Sequence, residues 1–157
     1  MAMNGYSDAA ISLLATVIPA LERGEGAFVN YTLIACLAAD ALWADDRTDY
    51  LDVIERNLRE KVVAPDFRYV AMDGRLSVAR LCALTGRVEE ASDWFARART
   101  VLEEEGARPL RAIADYDEAL MYARRAAAGD RERGLPLLDA ALVQFREDRH
   151  DRLAPPR

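Results

Sequence analysis

RLCALTGRVEEASDWFARA, residues 80–98, is the stretch whose reading decides the fold. Leu81 and Leu84 stand three apart ahead of Gly86, and Val88, Ala91, Phe95 and Ala98 follow it at spacings of three and four. That spacing lays apolar side chains along one face of a helix. A glycine between two such runs ends the first, because it takes the left-handed conformation at little steric cost. The stretch therefore reads as a helix, a tight turn and a second, antiparallel helix.

The unit recurs. Gly86, Ala91, Phe95 and Ala98 are separated by five, four and three residues, and the same spacings give Gly129, Gly134, Leu138 and Ala141. They also give Gly5, Ala10, Leu14 and Val17, with a degenerate copy at Asp45, Tyr50, Ile54 and Asn57. Starts at 5, 45, 86 and 129 set a period of 40 to 43 residues. The small residue after the turn lets two backbones approach, and the larger one a turn later fills the space beside them.

Working outward, the pattern predicts seven helices, over residues 7–23, 27–44, 47–62, 66–85, 88–105 and 109–128, with a last one ending near 148. Ser7 or Asp8 caps the first, Pro65 stands ahead of the fourth as a favourable opening residue, and Pro109 opens the sixth. Pro19 should bend the first helix, and Pro136 should delay the regular start of the seventh to about Arg133. The second helix is apolar nearly all round, which marks it as the most buried. No segment alternates long enough for a strand. The chain is thus all-α and about three-quarters helical, one domain over 1–150 with 151–157 as a disordered tail.

The repeat resembles the tetratricopeptide repeat, whose pattern has a turn glycine followed by Ala, an aromatic and Ala at these spacings. Residues 80–98 carry the best match, and the likeness is strongest over 75–145. The period exceeds the common 34, Arg75 stands where the family has an early aromatic, and the proline near the unit's end is missing. The resemblance implies a right-handed α-α superhelix of about seven antiparallel helices. Long, degenerate repeats of this sort are similar to those of bacterial ATP-binding LuxR-type regulators and related proteins, where the array is a sensor or coupling surface. The first helix matches the later member of a hairpin, which points to a piece cut from a longer protein or a degenerate remnant, the alternative being that this helix is a natural cap.

Composition narrows function. Hydrophobic residues are 52% of the 157 and charged residues 31%, with a net charge of −6, as in a soluble globular protein rather than a disordered tail. The acidic balance argues against a nucleic-acid surface. The single histidine, His150, sits in a mixed-charge run and excludes chemistry built on several histidines. Cys36 and Cys82 each lie within an apolar helical pattern, outside any CxxC pair, and point to a reducing, cytoplasmic setting. No basic region precedes an apolar run at the start of the chain, and the apolar stretch around 33–43 is too short to span a bilayer.

Familiar motifs fail on their own terms. Asp45 to Asp49 lacks the glycine and glutamate of a calcium loop, with Tyr50 and Arg56 at those positions. Gly24 and Gly26 follow a helix rather than a strand, and no phosphate loop exists. No metal or cofactor is implied, and no acid, base or nucleophile set suggests an enzyme.

Candidate binding residues come from the first helix of each hairpin, which lines the concave face in this architecture. Asn30, Asp73 and Asp115 recur at intervals of 43 and 42. Arg80 and Tyr122 lie two turns after Asp73 and Asp115, and Arg111 one turn before Asp115. Together they make a polar row for an extended peptide or a small polar effector, unless they are spent on salt bridges such as Asp115 with Arg111. The expected function is a non-catalytic protein-binding, sensor or scaffold module of a bacterial regulator. The alternatives are a small-molecule effector domain and, last, an all-helical enzyme. A homodimer through a terminal helix is also expected. Helix one is favoured over helix seven, whose Leu135, Leu137, Leu142 and Phe145 precede a polar tail.

Overall fold

Gly86 and Gly129 hold left-handed backbone, at φ 73° and 83°, and each stands between two helices as its place in the sequence requires. The computed structural model describes the backbone of residues 4–23, 28–66 and 72–153, with side chains at 9, 11–23, 32–66 and 72–149. Among the described residues are α1 (Asn4–Arg23), α2 (Phe28–Asp45), α3 (Leu51–Asn57), a π-helical segment (Leu58–Val63), α4 (Gly74–Leu84), α5 (Val88–Glu104), α6 (Arg108–Arg125) and α7 (Asp130–Leu153), and no strand. None of these helices is long and apolar enough to cross a membrane. The chain divides into two compact units, residues 1–87 and 88–157.

In the first unit α2 packs against α1, α3, the π-helical segment and α4. Ala35, Cys36, Ala38, Ala39, Leu42 and Trp43 of α2 are all buried, as its all-round apolar pattern predicts. The third helix is shorter than the sequence suggests. Asp46 and Tyr50 have positive φ, so the chain turns between them and α3 begins only at Leu51. Arg47 Nε donates to Asp49 Oδ2 at 2.8 Å within that turn.

The fourth helix departs furthest from expectation. Asp66 is left-handed, which interrupts any helix starting there, and α4 starts eight residues later at Gly74. Asp73 supplies the start: its carboxylate accepts from the backbone N–H groups of Arg75 at 2.8 Å and Leu76 at 3.2 Å. Gly74 lies against the π-helical segment so closely that a Cβ would stand 2.6 Å from Val62 Cγ1. Only glycine fits there without a shift.

In the second unit α5, α6 and α7 follow one another through short turns, α5 against α6 and α6 against α7. Ala91, Phe95, Ala98 and Leu102 of α5 are buried, and so are Gly134 and Ala141 of α7. Not every repeat position behaves alike: Tyr50 is exposed and Leu138 half-buried, Gly5 lies inside α1, and the side chain of Ala10 is outside those described. α7 begins at Asp130 rather than Arg133 and carries Pro136 internally, as α1 carries Pro19. Residues 154–157, expected as part of a tail, lie outside the described residues.

Candidate functional site

Six polar residues were singled out by their spacing, and each unit receives three. In the first, Asp73 is spent on capping α4 and on a 3.0 Å ion pair with Arg75. Arg80, two turns along α4, pairs with Asp40 of α2. Between them lies Cys36, whose thiol is pushed up to about 11 chiefly by burial, against a hydrogen bond with Ser77. Arg80 thus serves an internal α2–α4 contact, and Asp73 serves the start of α4. Asn30 belongs to α2, with its side chain outside those described.

A second buried carboxylate in this unit escaped the sequence reading. Glu55 accepts from Arg59 Nε at 2.8 Å and from Arg87 Nη1 at 3.0 Å. Burial pushes its carboxyl up, but the two guanidinium groups outweigh that and hold it below the ordinary glutamate value. Arg59 also donates to Cys82 Sγ at 3.4 Å. The Glu55–Arg59 spacing of four was readable, whereas the reach from Arg87 across 32 residues was not.

In the second unit Asp115 and Tyr122 are joined through residues the spacing did not flag. Arg99 of α5 reaches across to both Asp115, at 3.4 Å, and Glu118 of α6. Ser92 donates to the other oxygen of Glu118, and the Tyr122 hydroxyl lies 3.2 Å from Ser92 and 3.4 Å from Glu118. Burial raises the Asp115 carboxyl above its ordinary value and the Glu118 charge adds to this, against Arg99 and Arg111. Arg111 itself pairs with Glu103 at 3.0 Å on the surface, so the expected Asp115–Arg111 bridge is replaced by Asp115–Arg99. Glu118 is only 3% exposed and its oxygens are taken up by Arg99, Ser92 and Tyr122. It is a structural carboxylate, closed to substrate.

The open feature of this unit is apolar. A groove of about 550 Å³ runs between α6 and α7, walled by Tyr116, Ala119 and Ala123 on one side and Gly134, Leu135 and Leu138 on the other. Short side chains make it: Gly134 lies against Ala119 and Tyr122, close enough that even a Cβ would be in van der Waals contact. Its closed end is pinned. Asp130 accepts from Arg125 Nε at 2.9 Å and from the Ala127 N–H at 2.8 Å, and the Arg125 bond holds its carboxyl well below the usual range. Left-handed Ala126 and Gly129 complete that turn. Arg131 lines the groove and has no ionic or hydrogen-bonding partner among the described residues. The groove carries shape and apolar surface rather than a reactive group. No known protein family, curated protein or solved structure matches the chain.

Proposed function

We propose that this chain is a non-catalytic protein-binding module and that the groove between α6 and α7 is its docking surface. The observation that carries the reading is the contrast within the second unit. Its buried charges are bound into an internal network, while an apolar groove stays open to solvent with Tyr116 43% and Leu135 46% exposed at its walls. Exposed apolar surface of this kind is characteristic of interaction sites. We further propose that the helices form TPR-like hairpins serving as the scaffold or sensor part of a regulator. Left-handed Gly86 and Gly129 and the buried Ala91, Phe95 and Ala98 support that arrangement.

A second reading has its own support: about 550 Å³ is also the size of a small-molecule pocket. Native mass spectrometry at micromolar concentration separates the two, with Leu135→Glu as the groove variant. The docking reading expects a bound polypeptide, from another protein or a further copy of this chain, that Leu135→Glu releases. A retained small molecule lost from the same variant would replace it with the effector reading.

A further inference from the structure

α7 presents two faces. Asp130, Gly134 and Ala141 are buried, and Leu137 is half-buried. These residues recur at four, three and four and form the stripe that packs on α6. About a quarter-turn round the helix runs a second apolar stripe, Leu135, Leu138, Leu142 and Phe145, at spacings of three, four and three. Leu135, Leu142 and Phe145 are 46%, 42% and 38% exposed. The stripe is about 15 Å long at the helical rise per residue, and its first two leucines are a wall of the groove. Among the described residues of α1, by contrast, Leu13 is the one large apolar side chain that is exposed. Among the described residues of these two helices, most of the exposed large apolar side chains thus stand on α7.

A repeat of three and four is the seam of a paired helix. The residues beside this seam identify the partner. On the flank away from α6 stand Asp139 and Arg146, seven residues apart, opposite in charge and both exposed. Neither makes an ion pair or hydrogen bond among the described residues. Two copies of α7 laid antiparallel bring Leu135 opposite the partner's Phe145 and Leu138 opposite the partner's Leu142, using all four seam residues of each copy. In that register Asp139 lies about 7 Å along the axis from the partner's Arg146, from the helical rise. Side chains lean toward the N-terminus of their own helix, so in antiparallel helices these two lean toward each other. The two-fold axis makes the pairing twice.

The ends of the seam fix the register. Arg131 precedes Leu135 by four and Arg149 follows Phe145 by four, both exposed. A slip of seven residues either way sets one of these guanidinium groups against a leucine. The remaining flank of the seam is α6, so two hairpins pairing this way form a four-helix arrangement, with each α6–α7 groove facing its interior.

We infer that the occupant of the α6–α7 groove is a second copy of this chain, joined as an antiparallel, two-fold α7–α7 pair in which Asp139 bonds Arg146 of the other copy. This rests on the docking reading above and names its partner.

Sedimentation equilibrium of the full chain between about 1 and 100 μM tests it, with circular dichroism to check the fold of each variant. The expected result is a reversible dimer. Leu142→Glu should weaken it about 100-fold or more, since each dimer carries the change twice. Asp139→Arg alone, or Arg146→Asp alone, should weaken it about 10-fold by setting like charges together. The double variant Asp139→Arg with Arg146→Asp should return to within about threefold of the parent, which simple damage to α7 would not do. A folded parent that stays monomeric at 100 μM overturns the inference, as does a dimer indifferent to Leu142→Glu or without rescue in the double variant. A monomer that holds a heterologous peptide in the groove overturns the self-pairing and leaves the docking reading standing. A monomer that holds a small molecule there overturns both.

Discussion

Replacing Arg99 with methionine tests whether the α5–α6 network is structural. One guanidinium serves two carboxylates, Asp115 and Glu118, whose side chains are 7% and 4% exposed. Methionine keeps much of the length and the apolar stem but leaves both acids without their cation. Removing one partner of a fully buried ion pair costs about 3–5 kcal/mol. Here the Arg99 side chain keeps 22% of its surface in water, and the Ser92 and Tyr122 hydroxyls still serve Glu118. The expected loss is therefore nearer about 2–3 kcal/mol, or a fall in Tm of about 5–10 °C for a chain of this length.

The pH dependence follows from Asp115, whose folded pKa is raised by burial. Its ionisation opposes folding above that raised value, and the penalty fades as pH falls through it toward the unfolded value. Without Arg99 the carboxyl shifts further up. The deficit of Arg99→Met against the parent should then shrink as pH falls from neutral toward the ordinary carboxylate range, measured by thermal melting at each pH. A loss below about 0.5 kcal/mol, ordinary for a surface substitution, would refute the structural role. So would a deficit that grows on acidification.

Phe95 is wholly buried, so Phe95→Ala should cost about 3–5 kcal/mol in chemical denaturation. Asp73→Ala removes the α4 cap and should cost about 1–2 kcal/mol, while Asp73→Asn, which retains a capping oxygen, should recover most of it. Cys36 is buried with its thiol raised to about 11, so it should resist a thiol reagent at pH 8 in the native protein and react at once in denaturant. Rapid native labelling of Cys36 would contradict that burial.

Local chemistry made the helices legible in the sequence. A 3.6-residue apolar period and a glycine able to turn left-handed act over a few residues, so α2, α5 and α6 fall within one or two residues of their expected starts. The same logic failed around Asp66. Its left-handed backbone and the capping by Asp73 shift α4 to Gly74, where the contact with Val62 excludes a side chain. No periodicity encodes that contact. The polar row was legible as residue types and spacing but not as roles. Asp73 went to a cap, Arg80 to Asp40, and Asp115 and Tyr122 to a network with Arg99, Glu118 and Ser92. Which cation meets which carboxylate depends on which helices lie side by side, over separations of 16 to 40 residues in these pairs. The apolar residues of α7 were equally visible as letters. Only its packing on α6 decided that Gly134 and Ala141 turn inward and Leu135, Leu142 and Phe145 remain in water. An all-round pattern of apolar and charged residues offers several faces, and the neighbouring helix selects the one that is buried.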